Sequence, residues 1–354
     1  MRVLVVGSGG IGLGSAALLA ERGHSPVIWQ PLRPVTADFV LSSRGSVAGD
    51  FAMPSVADCG EALAGADAVL ITVPGYGHRA VMDALARHLR AGQAVVISSH
   101  CSMSALYLSR LLAARGVAVP IIAWGTTVVT GRRTGEQACA ISNIRDQVDL
   151  AVLPQRDTAA GLTLCRDLFG DRFVARQDLL AVALSNVNPQ NHLAMALCNF
   201  TRIEKGEDWG NYAGITESVG RLMEALDAER LAIAGHFGRD VRSVRQHFHL
   251  SFDVPLLSVA EMAALIDARG NAPLGPKNVQ TRYVFEDIPF GIVATEQLAR
   301  IAGVAAPLHV AGIEVFGGLY GQDFRRQNDL LGELGLEALS AEGFARLMVE
   351  GFEG

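Results

Sequence analysis

Lysine is nearly missing from this chain. Of 30 basic residues in 354, only Lys205 and Lys277 are lysines, so chemistry built on a lysine amine has two candidates. Cysteine is sparse as well: Cys59, Cys101, Cys139, Cys165 and Cys198 are odd in number, scattered and never paired as CxxC. That pattern excludes a disulfide framework and a cysteine zinc site, leaves no expected metal centre, and suits a reducing cytoplasm. No apolar run of membrane length is free of charges or breakers, so no transmembrane helix is expected. The opening residues read as a strand and not as a signal peptide. A formal net charge of −6 leaves no basic footprint for nucleic acid. Repeats, low-complexity tracts and long linkers are absent.

What is present is ample core material. Half the residues are hydrophobic and the mean hydropathy is +0.27, and the length suggests two domains. Short β-rich runs (Arg2–Val6, Pro26–Trp29, Ala68–Val73, Ala94–Ser98, Pro120–Ala123) alternate with helical patterns (Ile11–Arg22, Gly77–Leu89, Met103–Arg115). This alternation predicts a doubly wound, mainly parallel sheet. Thr126–Val129, Ala138–Ile141 and Leu150–Leu153, separated by polar turns such as 131–135, read as a partly antiparallel addition to it. Beyond about Asp178 helical patterns dominate: Asp178–Val187, His192–Ile203, Thr216–Phe237 and Leu256–Arg269. Thr295 is expected to cap a helix ending at Gly303, and Ser340 to cap the last one. The expected fold is an α/β Rossmann domain over residues 1–177 followed by an all-α domain over 178–354.

Gly7-Ser8-Gly9-Gly10-Ile11-Gly12 follows the first apolar run and opens the first helical pattern. A GxGxxG in that place has a mechanical reading. Gly7 permits a tight turn, Gly9 lets pyrophosphate approach the backbone, and Gly12 brings helix and strand together. The phosphates then meet the helix N-terminus. Val73, Pro74 and His78, after the expected fourth strand, are a second set of cofactor candidates; His78 reads equally well as a partly exposed residue with no catalytic role. NAD-binding units usually end the second strand with an acid for the ribose 2′-OH. Here Gln30 stands in that place and Arg33 lies three residues on, a pattern that suits a 2′-phosphate. NADP(H) is therefore favoured over NAD(H).

Two polar clusters interrupt the helical half. In Ser185-Asn186-Val187-Asn188-Pro189-Gln190-Asn191-His192, Pro189 fits a first helical position with Asn188 as N-cap. His192 then lies in the first turn, placed for proton transfer, and Asn199 shares its face seven residues on. In the second cluster, Asn278 to Pro289, the proline and β-branched residues argue against helix. Arg282 can clamp a carboxylate and Asp287 can orient an imidazole. An interdomain Arg–Asp or Arg–Glu ion pair is the other reading of the same residues.

Taken together, these segments resemble the opine dehydrogenases of the octopine and nopaline type over nearly the whole chain. The resemblance rests on the glycine loop, Val73-Pro74 with His78, and Asn186-Val187-Asn188 with His192 and Asn199. It continues through Gly214-Ile215-Thr216 with Ser218-Val219, Asp227-Ala228-Glu229-Arg230, Gly275-Pro276, Thr281-Arg282-Tyr283, Glu286-Asp287 and Gly291. It implies reductive condensation of an amino acid amine with a 2-oxo acid, plausibly pyruvate, using NAD(P)H. The catalytic histidine falls on His192, its aspartate partner on Asp287 and the carboxylate-binding arginine on Arg282. Asn188, Asn199 and Thr216 are the further substrate-binding candidates, and a homodimer is the oligomer expected. One departure is that Leu193 follows the histidine where the family usually has proline. A ketopantoate-type 2-oxo acid reductase, which uses a helix lysine, and a non-catalytic NADP-binding sensor are the alternatives.

Overall fold

The computed structural model describes residues 1–31, 38–270 and 272–353. Contacts divide the chain into two units, Met1–Ala183 with Gly332–Gly354, and Leu184–Leu331.

Among the described residues the first unit holds twelve strands: β1 (Arg2–Val6), β2 (Ser25–Trp29), β3 (Phe39–Gly45), β4 (Gly49–Met53), β5 (Ser55–Val56), β6 (Ala68–Ile71), β7 (Ala94–Ile97), β8 (Ile121–Trp124), β9 (Val129–Gly135), β10 (Ala138–Ile144), β11 (Val148–Leu153) and β12 (Phe173–Ala175). The main sheet has the order β12-β11-β8-β7-β6-β1-β2-β5. All of its pairings are parallel except β11 with β8. β1 and β6 are neighbours although far apart in sequence, so the chain reverses its winding between them. Ligands of doubly wound sheets bind at the carboxyl ends of the strands at such a switch point.

The second sheet was not legible as one. β9 and β10 were expected as an addition to the main sheet, and Gly131–Gly135 as a turn. Instead Gly131–Gly135 is strand, and the order β4-β3-β10-β9 makes a separate four-stranded sheet. Its apolar side chains, Leu41, Met53, Val129, Cys139 and Ile141, join Leu13, Ala16 and Ala17 of helix Gly10–Glu21 in one core. That helix is buried along most of its length because sheets lie on two of its sides.

The second unit is helical, built from Asn188–Cys198, Phe200–Glu204, Glu217–His236, Val244–Phe252, Val259–Asp267, Val293–Ala302, Pro307–Tyr320 and shorter turns. Two expectations are corrected here. Arg282–Phe285 is a helical turn capped by Thr281, and Ile288–Ile292 winds as a π-turn directly into Val293–Ala302. Pro289 is tolerated because it sits at the start of that turn, where its missing N–H leaves no gap, and its carbonyl accepts from Asn328 Nδ2 at 2.7 Å. Thr295 lies inside the helix, and its hydroxyl donates to the Gly291 carbonyl. The stop at Gly303, in the left-handed region, and the Ser340 cap are as expected.

The segment Gly332–Gly354 differs from the expected division at residue 178, since it packs with the first unit. Phe344, Leu347 and Met348 bury the apolar face of helix Ala341–Glu350. The Phe352 N–H donates to Ser109 Oγ at 2.8 Å, and Glu350 pairs with Arg156.

Candidate active site

In the first unit the glycine loop connects β1 to helix Gly10–Glu21, at the switch point. Gly7 has φ +111°, a conformation that L side chains rarely adopt. A Cβ at Gly12 would overlap the Gly7 carbonyl, and one at Gly10 would run into Gly131 and Arg132 of β9. Gly10 is thus a packing residue, with its bare side toward the second sheet. Gly9 differs from both: a Cβ there would meet nothing within 4 Å. Nothing among the described residues requires glycine at that position, and a bare backbone there leaves room for a ligand to approach. Gly9 is the N-cap, no side chain caps the helix and no acid lies in its first turn. The leading N–H groups, including that of half-buried Ile11, are thus left for an anion. These residues fit a dinucleotide pyrophosphate.

Gln30, just beyond β2, accepts from the Ser8 N–H through Oε1 at 3.1 Å. Its acceptor is therefore engaged and its amide N–H groups remain. Arg33 lies outside the described residues. Past β6, Val73 is half-buried and Pro74 exposed. His78 is not the partly exposed residue expected: it is 1% exposed. Its Nε2 donates to the Val73 carbonyl at 3.1 Å, and its Nδ1 faces Cys101 Sγ at 3.7 Å. Both nitrogens face partners within the protein, so His78 braces the Val73–Pro74 turn. Burial lowers its pKa to about 4.

In the second unit, His192 and Asp287 come together across 95 positions of sequence: Nδ1 donates to Oδ2 at 2.7 Å. That bond fixes Nδ1 as the protonated nitrogen of the neutral ring and leaves Nε2 to face outward chemistry. Helix Asn188–Cys198 carries His192 in its second turn. Its N-cap is Val187 and not Asn188 as expected, because Asn186 Oδ1 accepts from the Asn188 N–H and starts the turn one residue earlier. Two glycine notches seat this helix. A Cβ at Gly291 would collide with the Pro189 ring, and one at Gly312 with Leu193 Cδ1. Leu193, at the position where the resemblance leads one to expect proline, is thus a buried anchor, and Pro189 braces the start.

The other candidates divide. Arg282 is exposed and has no ion pair or side-chain hydrogen bond among the described residues; Asp287 pairs with His192 instead. Asn188, half-buried, lies one turn before His192 on the same face. Asn199 is buried, and its amide donates to the Met195 and Gly214 carbonyls, which joins the helix end to the next loop. Thr216 is exposed at the N-cap of Glu217–His236, and its hydroxyl makes no cap bond.

Sequence reasoning missed two features. Tyr283 stacks on His192 with ring centroids 3.7 Å apart and planes 9° apart. Its hydroxyl donates to Asn211 Oδ1 at 3.1 Å, and burial raises the pKa of that hydroxyl. The only signal was its place between Arg282 and Asp287. The second feature is a buried His309–Glu229 pair at 2.6 Å, with Gln190 on the far ring nitrogen at 3.1 Å. Burial raises Glu229, but hydrogen bonds from His309 and from the Leu308 and His309 N–H groups outweigh it and hold the carboxyl below its usual range.

Comparison with known proteins places the chain in a family. Residues 175–320 match the family model described as NAD/NADP octopine/nopaline dehydrogenase, alpha-helical domain, and residues 3–126 match that of ketopantoate reductase PanE/ApbA. An opine dehydrogenase of Arthrobacter sp. (strain 1C) is 31% identical over 350 residues, 96% of each chain. The protein ocs of Agrobacterium tumefaciens (strain Ach5) is 23% identical, covering 98% of this chain and 99% of its own. In fold, the chain matches an octopine dehydrogenase solved with NADH and L-arginine, at a TM-score of 0.80, 17% identity and 98% coverage of both. With a relative this similar over almost its full length, and the two-part architecture above, the chain belongs to the opine dehydrogenase family of NAD(P)-dependent oxidoreductases.

Proposed function

We propose that this protein joins the amine of an amino acid to the carbonyl carbon of a 2-oxo acid, pyruvate being the first candidate, and reduces the resulting imine to a secondary-amine dicarboxylate. The observation that carries this reading is the His192–Asp287 pair at 2.7 Å, with an exposed arginine, Arg282, that has no ion pair among the described residues, five residues before the aspartate. A bound nicotinamide dinucleotide supplies the reducing equivalent. Gly7, Gly9, Gly12 and the N–H groups at Gly10–Gly12 would hold its pyrophosphate, and Val73 and Pro74 would flank it. Arg282 grips the 2-oxo acid carboxylate through its planar fork. His192 moves the proton at Nε2 while Asp287 holds Nδ1–H and steadies the positive ring. Asn188 and Thr216 are the remaining polar groups offered to substrate. Asn199 acts through the loop that it ties down.

NADPH is the proposed cofactor. With Oε1 engaged by the Ser8 N–H, Gln30 presents donors, and donors suit a charged 2′-phosphate, rich in acceptors, better than a 2′-hydroxyl, which a carboxylate would bind through its O–H. Relatives accept both classes: one solved yersinopine dehydrogenase is described as NADP+ bound, and the octopine enzyme as holding NADH. The test is oxidation of NADPH with a panel of amino acids and 2-oxo acids, singly and in pairs. Turnover that requires both partners is expected. Oxidation with a 2-oxo acid alone, as a ketopantoate-type reductase would give, contradicts the proposal.

A further inference from the structure

The hydrogen bond to Asp287 fixes the tautomer of His192 but not the tilt of its ring. A single N–H···O contact tolerates some tens of degrees of misalignment before it weakens steeply, and the imidazole can rock within that range. Tyr283 covers one ring face at 3.7 Å, nearly parallel at 9°, which leaves no room to rock toward it. The tyrosine is itself fixed. It belongs to the helical turn Arg282–Phe285, capped by Thr281, and its hydroxyl donates to Asn211. Asn211 is fixed in turn, because its N–H donates to the Pro273 carbonyl at 2.9 Å. The neighbouring Trp209 donates from Nε1 to the Pro276 carbonyl at 3.1 Å. Gly214 and Gly275 both clear space for that indole, since a Cβ at either would overlap it. A chain of contacts thus runs from Asn211, two residues after the Trp209 clasp, through Tyr283 to the face of His192.

We propose that Tyr283, anchored by Asn211, is a positioning residue that holds the plane of the His192 imidazole. The inference rests on His192 being the proton-transfer residue. Asp287 and Tyr283 then divide the work: one sets which nitrogen carries the proton, the other sets where the free nitrogen points. Misaligning a reacting group by about an ångström can lower a rate by about a hundredfold, so the effect belongs in turnover and not in substrate affinity.

The experiment compares Tyr283→Leu, Tyr283→Phe, Asn211→Ala and the Tyr283→Phe/Asn211→Ala double variant. Steady-state NADPH oxidation is followed with pyruvate and the amino acid that supports it, alongside cofactor binding and melting temperature. Tyr283→Leu is expected to lower kcat by about ten- to a hundredfold with KM for both substrates and cofactor affinity little changed. Tyr283→Phe keeps the stacked face and should restore most of that loss. Its smaller loss should equal that of Asn211→Ala, and the double variant should be no worse than either, because both remove one contact. If Tyr283→Leu does not fold, the agreement of the two single variants with the double carries the test. Wild-type kcat in Tyr283→Leu, additive losses in the double variant, or losses that track melting temperature alone overturn the proposal. Full turnover in His192→Ala overturns it together with the proposed function. An inactive His192→Ala beside a fully active Tyr283→Leu overturns this inference alone.

Discussion

At the scale of single residues, the geometry separates roles that the sequence could only list side by side. His192, Asp287 and Arg282 were candidates with an interdomain ion pair as the rival reading. The carboxylate is found on the imidazole, and the guanidinium is exposed with no ion pair among the described residues. General acid–base groups contribute about 10²–10⁴-fold, so His192→Ala is expected to lose turnover in that range while still binding cofactor, as followed by fluorescence. Arg282→Lys should chiefly raise KM for the 2-oxo acid, because an ammonium lacks the planar fork. Asp287→Asn should chiefly lower kcat, because the amide can select the wrong tautomer. Equal losses of melting temperature in both variants, without this kinetic split, would return the residues to a structural role. For the cofactor, Gln30→Glu keeps an oxygen for the Ser8 N–H and places a carboxylate where the amide donors were. It should move preference from NADPH toward NADH, and titration of both cofactors by fluorescence checks this. Unchanged preference would remove Gln30 from the selection.

At the scale of elements, the strongly periodic segments were readable and the context-dependent ones were not. β1, its glycine loop and the following helix could be placed from apolar runs and glycine spacing alone. The second sheet could not. β3 and β4 carry polar residues on exposed faces, and Gly131–Gly135 has turn-like composition, yet it pairs with β10 as strand. Long-range pairing overrode local preference there. Pro289 misled for the same reason: its carbonyl finds Asn328, a partner 39 positions away, so helix resumes where local rules predict none. The resemblance placed His192 and Asp287, but Tyr283 stacking and the Gly291 and Gly312 notches appear only in three dimensions. The notches carry a prediction. The Pro189 ring cannot yield, so Gly291→Ala overpacks the start of helix Asn188–Cys198 and is expected to cost about 1–3 kcal/mol. Gly312→Ala meets only the end of a leucine and should cost less. Denaturant midpoints measure both, and a neutral Gly291→Ala would mean that the helix start has room to shift.

At the scale of the whole molecule, two buried histidines in the first unit tie stability to pH. Burial lowers His78 to about 4. It lowers His100, 2% exposed and with neither ring nitrogen bonded among the described residues, to about 3, with the nearby His78 a smaller cause. Their folded values lie below the unfolded value of about 6.5, so the unfolded chain takes up protons first as pH falls. The stability they leave intact is present above about pH 6.5 and is lost progressively as pH falls toward about 4 for His78 and about 3 for His100, by about 2 kcal/mol for each histidine at pH 5. Melting temperature should therefore fall through that window, and His100→Gln should flatten the fall. A wild-type melting temperature constant from pH 7 to 5 would contradict the assignment.

The central claim is that the enzyme makes a carbon–nitrogen bond, and the mass of the product tests it most directly. The intact enzyme is incubated with NADPH, pyruvate and a panel of amino acids, and the products are read by mass spectrometry. The account predicts a species whose mass is that of amino acid plus pyruvate, less one water, plus two hydrogens. Its formation should depend on both partners and vanish in His192→Ala. Reduction of pyruvate to its 2-hydroxy acid, with the amino acids untouched, would contradict it.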